Sequence, residues 1–96
     1  MNYKLQIQNE AIIDVEIAYQ WYEDKRMDLG LELIEEIENC YTSICDHPDQ
    51  YGFVRNSEHY RRIRVSRFPY MIVYEVENHT VIINAVSHIR QNRSFI

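Results

Sequence analysis

Four arginines lie close together in the second half of the chain: Arg61, Arg62, Arg64 and Arg67. If this stretch is a β-strand, Tyr60, Arg62 and Arg64 share one face, and the two arginines stand roughly 7 Å apart. Guanidinium groups bind phosphate as planar forks, so this pair could hold neighbouring phosphates. Arg61 and Arg67 have the opposite parity and are expected to reach water at the sheet edge. The alternative is a merely solubilising face.

A histidine near the end of the chain adds a group that can exchange protons near neutral pH. His88 closes the last apolar stretch, and Arg90 and Arg93 follow it. Depending on strand register, His88 could share a face with the arginines and act as an acid or base there. Tyr60 could stack on a nucleobase. The alternatives are an ordinary strand-end histidine and a packing tyrosine.

The sequence contains no recognisable binding site for a metal or a cofactor. Cys40 and Cys45 lie five residues apart in a helical pattern, so they point to different faces and are not expected to form a disulfide. Cys45 and His47 lack a second pair of ligands, so no metal site is predicted. There is no Gly-rich phosphate loop or nucleophile elbow, and no cofactor is expected.

The length of the chain predicts one domain, spanning residues 1–96. No apolar run approaches the ~18 residues that a membrane span needs. The first seven residues contain no apolar stretch of signal-peptide type. We therefore expect a cytoplasmic protein without a membrane partner.

The net charge of −5 conceals a strong asymmetry between the two halves of the chain. Residues 1–50 hold twelve acids and three bases, a net charge of −9, whereas residues 51–96 hold three acids and seven bases, a net charge of +4. Such a split suggests a basic surface opposite an acidic one, suited to phosphates or to an acidic partner segment. Ordinary solvated helix and strand faces are the alternative.

Hydrophobic periodicity predicts the elements that must position these residues. Period-two alternation predicts a strand over 3–8, and apolar residues at helical spacing predict two helices, capped by Asn9 and Asp28 and joined as an antiparallel hairpin. In the first helix the expected apolar stripe includes Ile12, while Asp14 and Glu23 are expected to face water. A loop over 47–59 and three further strands follow, over 60–68, 70–76 and 81–88.

The predicted fold is therefore α+β, with the order β-α-α-β-β-β. The last three strands form an antiparallel sheet, and the helical hairpin packs on one of its faces. The position of the first strand in this sheet is left open by the sequence.

The chain resembles the toxins of the RelE/ParE superfamily over nearly its whole length. The resemblance lies in the arginine-bearing strand with its Phe-Pro-Tyr turn and following apolar strand (61–76), the final strand ending in His-x-Arg (81–90), and the helix segments 18–23 and 29–33. It implies a RelE/ParE-like fold and the toxin of a bacterial type II toxin–antitoxin pair, associated with growth inhibition and plasmid stabilisation. Its partner would be a cognate antitoxin, whose extended or helical segment orders on the toxin surface.

The resemblance implies one of two targets. RelE-like members cleave mRNA on the ribosome, in which case Arg62 and Arg64 would clamp phosphate and His88 or Tyr60 would move protons. ParE-like members inhibit DNA gyrase and have no nuclease site. In either case, further cationic residues would contact the target: Arg61, Arg67, Arg90 and Arg93.

The ParE-like interpretation is favoured by the Tyr-x-Trp-Tyr segment of the first helix (19–22) and the closing His-x-Arg (88–90), which are closer to ParE-like members, and by two further features. The tail ends Ser94-Phe95-Ile96, without the terminal His or Tyr that several nuclease members use, and the net charge is acidic, whereas ribosome binding gains from positive charge. The alternatives are a RelE-like endoribonuclease and a non-toxic interaction module on the same scaffold.

Overall fold

The computed structural model describes residues 3–91 and contains every predicted helix and strand. The remaining residues, Arg93 among them, lie outside the described residues. In chain order the elements are β1 (Lys4–Ile7), α1 (Asn9–Lys25), α2 (Leu29–Asp46), a short 3-10 turn (Pro48–Gln50), β2 (Arg61–Arg64), β3 (Tyr70–Glu77) and β4 (Thr80–His88). The two helices pack against the sheet, as predicted.

The four strands form one sheet in the order β1-β4-β3-β2. The antiparallel arrangement predicted for the last three strands is confirmed. Strand β2 lies at one edge of the sheet and β1 at the other. Strand β1 pairs in parallel with β4, so the sheet is mixed rather than wholly antiparallel. Parallel pairing requires a long connection, and here the chain passes through both helices and two strands before it returns as β4.

The strand β2 is shorter than the segment predicted from alternation. It ends at Arg64, and the amide of Val65 then donates to the carbonyl oxygen of Tyr70. Arg67 adopts a left-handed conformation with φ of 72°. A positive φ is incompatible with a continuing strand, so residues 65–69 form the turn that leads into β3.

A carboxylate stabilises the turn between the two helices, and a glycine allows the helices to approach closely. The Oε atoms of Glu23 accept hydrogen bonds from the amides of Asp28 (2.9 Å) and Gly30 (3.0 Å). Asp28 itself makes no side-chain cap, so Glu23 of α1, predicted to face water, caps α2 instead. A Cβ on Gly30 would lie 2.7 Å from the carbonyl oxygen of Tyr19, so only glycine fits this close helix crossing.

The core lies between the hairpin and the covered face of the sheet. Leu33, Ile37 and Ile44 from α2 pack with strand residues such as Ile72 and Ile83. In α1 the fully buried residues are alanines at positions 11 and 18, and the predicted stripe residue at position 12 is 45% exposed. No helix formed by residues 3–91 is long and apolar enough to cross a bilayer.

Candidate functional site

Arg62 and Arg64 project from the sheet face that points away from the helices. They pair with Val73 and Met71 of β3, whereas the intervening Ile63 pairs with the buried Ile72 on the helix-covered face. Both arginines are exposed, and within residues 3–91 neither guanidinium makes a hydrogen bond or an ion pair. We call this side of the sheet the arginine face. Two free cations at strand spacing can bind an anionic partner, as the alternation predicts.

Arg61, predicted to contact phosphate or a target, is instead bound to the protein itself. Its Nη1 donates to the carbonyl oxygen of Tyr51 (2.6 Å), and its guanidinium carbon lies 4.0 Å from the centroid of the Phe53 ring. The residue is partly buried and pairs with Tyr74 on the helix-covered side. These contacts tie the loop before β2 to the strand.

Arg67, a second predicted target contact, links the turn after β2 to helix α2. Its Nη2 lies 2.6 Å from Oε1 of Glu32, and its Nη1 lies 3.5 Å from Oε2 of Glu36. Arg26 reaches the other oxygen of Glu32 at 3.1 Å. The hydrogen bond from Arg67 lowers the pKa of Glu32, with a smaller contribution from Arg26, and the same hydrogen bond raises the pKa of Arg67.

His88 lies on the opposite side of the sheet from the arginine face. It pairs with Tyr70, and its ring meets the Tyr70 ring edge-on with centroids 5.3 Å apart. The cause is a β-bulge at Asn84, where Val73 pairs with Ala85 but Tyr74 pairs with Ile83. The extra residue reverses the alternation in β4 and turns His88 toward α1. The possibility that His88 and the arginines share one face is therefore wrong.

The surroundings of His88 form an aromatic groove beside helix α1. A cavity of about 280 Å³ is lined by Ile17, Trp21, Tyr22, Tyr70 and His88, and we call it the histidine groove. The Nδ1 of His88 accepts a hydrogen bond from the amide of Arg90 (3.1 Å), so the neutral ring carries its proton on Nε2. This setting suits packing and a single hydrogen-bond donation.

The side chain of Asp14, which was predicted to face water, lines a neighbouring cavity and binds the backbone of β4. Its Oδ2 accepts a hydrogen bond from the amide of Val86 at 2.9 Å. That amide lies beyond the end of β1, where β4 no longer has a strand partner on this side. The available sequence signal was an acidic residue beside the apolar stripe of a helix. Such a side chain can accept a hydrogen bond from a backbone amide of the sheet that has no strand partner.

The arginine face carries a histidine–carboxylate pair that the sequence analysis missed. The Nε2 of His59 lies 2.8 Å from Oε1 of Glu75. Glu75 is two residues from Val73 on β3 and therefore shares the face of Arg62. The hydroxyl of Ser57 accepts hydrogen bonds from the amides of His59 (3.0 Å) and Tyr60 (2.9 Å), which orders the loop. The available sequence signal was the alternation of the strands, which places Glu75 on the same face of the sheet as Arg62 and Arg64.

Of the two other predicted target contacts, only Arg90 is among the described residues. Arg90 is exposed just after β4, and its backbone amide donates a hydrogen bond to Nδ1 of His88. Arg93 lies outside the described residues. Among residues 3–91, no three histidine, cysteine or acidic side chains converge as metal ligands would.

A family model matches nearly the whole chain. Residues 5–93 match the model described as the ParE toxin of the type II toxin–antitoxin system parDE. No curated protein matches the sequence significantly.

Solved toxin structures share the fold at low sequence identity. A chain of the chromosomal ParDE system from P. aeruginosa has a TM-score of 0.80 and 16% identity, with 91% of this chain and 96% of that chain covered. An E. coli RelE mutant in complex with a RelBc antitoxin peptide has a TM-score of 0.68 and 18% identity, with 90% and 82% covered. YoeB from Staphylococcus aureus, described as a dimer, has a TM-score of 0.63 and 15% identity, with 91% and 97% covered. At these identities the likeness shows the fold alone.

Proposed function

We propose, from the premise that the chain belongs to the ParE toxin family of type II toxin–antitoxin systems, that it arrests growth by binding and inhibiting DNA gyrase. In this proposal the protein is a non-enzymatic inhibitor and a cognate antitoxin neutralises it. Its toxin–antitoxin character follows from the family, whereas the choice of gyrase is our inference.

The separation of His88 from Arg62 and Arg64 carries the proposal. A nuclease that used these residues together would need the proton-transferring ring and the guanidinium groups around one phosphate, within hydrogen-bond reach. The pairings place the histidine beside α1 and the arginines on the other side of the sheet. Binding by the exposed arginines requires no such convergence.

The charge distribution supports a binding mode centred on the arginine face. The protein carries a net charge of −5, which disfavours general affinity for the ribosome and its RNA. Arg62 and Arg64 are free to pair with carboxylates or phosphates on a target, and such charge-assisted contacts are stronger than neutral hydrogen bonds. The acidic helices point away from this surface.

A supercoiling assay tests the proposal directly. Purified protein added to gyrase and relaxed plasmid should block supercoiling at about micromolar concentration. The double variant Arg62→Ala with Arg64→Ala should need about tenfold more protein or worse, because arginines are enriched among the few residues that carry most of the binding energy of an interface. Lys4→Ala is the matched control, since it removes an exposed cation from the opposite edge of the sheet.

Two results would contradict the proposal. Normal growth on induction without antitoxin would indicate a non-toxic interaction module. Full gyrase activity at tens of micromolar protein, together with growth arrest, would indicate another target. Circular dichroism of each variant must match the parent, so that lost inhibition is not mistaken for lost folding.

A ribosome-dependent endoribonuclease is the second candidate, because the His59–Glu75 pair lies on the same face of the sheet as Arg62. A carboxylate that orients a histidine prepares the ring for proton transfer, and arginine can stabilise the charge on phosphate. Cleavage of mRNA on purified ribosomes should then fall about a hundredfold in His59→Gln. His88→Gln, on the other side of the sheet, should retain cleavage, and equal losses in both would contradict this assignment.

A further inference from the structure

Helix α1 exposes an apolar stripe that leads to the histidine groove. Ile13, Ile17 and Trp21 recur every four residues, and each is between 53% and 66% exposed. Side chains at this spacing are neighbours on a helix, so the three form one continuous surface. The buried side of the same helix uses small residues instead, Ala11 and Ala18. Large apolar groups that stay in water on the outer side indicate a surface that a partner covers.

A run of aromatic rings continues the stripe from α1 to the start of β3 and the end of β4. The rings of Trp21 and Tyr22 meet edge-on, with centroids 4.9 Å apart. Tyr22 lies 6.1 Å from Tyr70, which in turn lies 5.3 Å from His88. The hydroxyl groups of the two tyrosines make no hydrogen bond within residues 3–91. The groove therefore offers a ligand electron-rich ring faces together with two hydroxyl oxygens that can accept hydrogen bonds.

The surroundings of the histidine groove are negatively charged. Helix α1 contains five acids and one base, a net charge of −4. The carboxylate of Asp14 lines the neighbouring cavity, which shares Tyr70 with the groove. Burial, then Tyr22 and Asp14, raise the pKa of Tyr70, so the charge of Asp14 acts on this ring. Arg90 is exposed just after β4 and is the cation on the strand side. The acids outnumber the cations here, which favours a cationic ligand.

One cation of the protein itself already lies on this surface. The Nζ of Lys25 is 4.5 Å from the centroid of the Trp21 ring. Tryptophan is the best aromatic partner for a cation, and the attraction is significant within about 6 Å of the ring centroid. Lys25 makes no ion pair within residues 3–91, so the ring is the partner of its ammonium group. The outer end of the groove is thus suited to positive charge.

We propose that the histidine groove binds an arginine side chain of a protein partner, with the guanidinium over the aromatic rings and apolar neighbours of that arginine on Ile13 and Ile17. Arginine suits the groove better than lysine, because its planar guanidinium stacks on rings and has five N–H donors for the tyrosine hydroxyls. The groove and the arginine face lie on opposite sides of the sheet. The inference therefore goes beyond the gyrase proposal and holds whether or not gyrase is the target.

Two other occupants fit the charges less well. A nucleobase could stack on the same rings, but the phosphates of its strand would meet an acidic helix. A second copy of the chain that packed its own α1 stripe on this one would place a net charge of −4 against another −4. Like charges placed opposite one another disfavour such an interface.

The fluorescence of Trp21 tests the proposal, because it is the only tryptophan of the chain and lines the groove. The probe is the capped peptide acetyl-Gly-Leu-Arg-Leu-Gly-amide, and the control peptide has citrulline, which is similar in shape but neutral, in place of arginine. We expect a saturable change with a Kd of about 0.1–1 mM for the arginine peptide and at least about fivefold weaker binding of the citrulline peptide. Equal affinities, or no binding of the arginine peptide up to about 10 mM, would overturn the proposal.

Removal of Lys25 should strengthen binding of the same peptide. Lys25→Ala frees one face of the Trp21 ring and removes a like charge, so the Kd should fall about two- to fivefold. Lys4→Ala is the matched control, because Lys4 is an exposed cation that pairs with Thr80, at the other end of β4 from the groove. Weaker binding by Lys25→Ala, or an equal gain in both variants, would contradict a cation site on these rings.

Substitution of the tryptophan separates ring recognition from general apolar contact. Measured by amide resonances, Trp21→Leu should weaken peptide binding about fivefold or more, whereas Trp21→Phe should retain most of it. Leu31 is as exposed as Trp21, at 54%, and does not line the groove, so Leu31→Ala should bind as the parent does. Equal losses in Trp21→Leu and Leu31→Ala would refute the assignment. A doubled mass of the protein alone by sedimentation, abolished by Trp21→Leu, would identify a second copy as the occupant and also refute it.

Discussion

The two sides of the sheet use the same kinds of side chain for opposite purposes. On the helix-covered side, Arg61 binds the carbonyl oxygen of Tyr51, and beyond the end of β2 Arg67 binds Glu32. On the arginine face, Arg62 and Arg64 are exposed and unengaged within the described residues. Arg61 and Arg67 are thus structural, whereas Arg62 and Arg64 are available to a partner. Alternation along β2 separates Arg61 from Arg62 and Arg64, and the turn after β2 directs Arg67 to helix α2. Clustering of cations in a sequence is therefore a poor measure of how many can bind a target.

The histidines show the same division. His88 sits among aromatic rings beside α1, whereas His59 stands next to Glu75 on the arginine face. Only one of them shares a side with the free arginines. The bulge at Asn84 creates this division, because it changes which face the last residues of β4 occupy.

Inserting one alanine between Ala85 and Val86 is the most severe way to break the distinction between the two sides. With the bulge at Asn84 kept, the insertion turns Val86 and His88 to the arginine face, since a one-residue slip reverses every side chain that follows. Loss of the buried Val86 alone costs about 1.5–3 kcal/mol, and displacement of its neighbours adds to it. We expect loss of cooperative thermal unfolding, measured by circular dichroism. Asn84→Ala keeps the bulge and should change the free energy of unfolding by less than about 1 kcal/mol.

Tyr74→Phe tests the covered side at one hydroxyl group. The Tyr74 hydroxyl donates to the carbonyl oxygen of Pro48 at 2.5 Å in a buried setting. Its removal leaves that oxygen unpaired and should lower the free energy of unfolding by about 1–3 kcal/mol in urea titrations. Tyr22→Phe is the control, because the Tyr22 hydroxyl has no hydrogen bond within residues 3–91. Equal losses in both would mean that the hydrogen bond to Pro48 contributes nothing beyond the removal of a tyrosine hydroxyl.

Tyr74, together with Tyr41, makes the free energy of unfolding depend on pH in the alkaline range. Burial raises the pKa of Tyr74 to about 12, and burial likewise raises the pKa of Tyr41 to about 12, from an ordinary value of 10.0. The folded state favours the protonated phenols, so their contribution is complete below pH 10 and is lost as pH rises toward 12. Melting temperature should fall across this window, and Tyr74→Phe should show a shallower fall. An identical slope in the variant would contradict the role of Tyr74.

Arg61→Ala and Arg62→Ala sharpen the comparison within one strand. Arg61→Ala removes a hydrogen bond from a charged donor and a stacked ring contact, so unfolding should become easier by about 1–2 kcal/mol. Arg62→Ala removes an exposed side chain and should stay within about 0.5 kcal/mol of the parent. Urea denaturation measures both. A larger loss for Arg62→Ala would contradict the division into structural and available arginines.

Arg67→Ala should have the smallest effect. The ion pairs of Arg67 with Glu32 and Glu36 are well exposed, so water and salt weaken them. We expect a slight decrease in melting temperature at low ionic strength that disappears near about 1 M salt. Because Arg67 lowers the pKa of Glu32, this contribution is present above the usual pKa of glutamate and fades as pH falls below it. A loss that persists in high salt would indicate a role in packing.

Local patterns in the sequence were enough to predict the elements and part of the site. Helical spacing predicted α1 and α2, alternation predicted the strands, and parity predicted that Arg62 and Arg64 share a face. The patterns failed where a side chain accepts a hydrogen bond from a backbone amide outside its own helix. Asp14 and Glu23 look solvated in their helices, yet they bind the amides of Val86 and Gly30.

The sequence by itself determined the order of elements, the two charged halves and the face of the free arginines, because each depends on neighbours within a few residues. Tertiary structure alone decided that β1 lies beside β4, that Arg61 and Arg67 are occupied, and that His88 turns toward α1. These outcomes depend on strand register, and one extra residue at Asn84 reverses the facing of everything that follows it in β4. Register is set by contacts between segments far apart in the chain, which local periodicity does not encode.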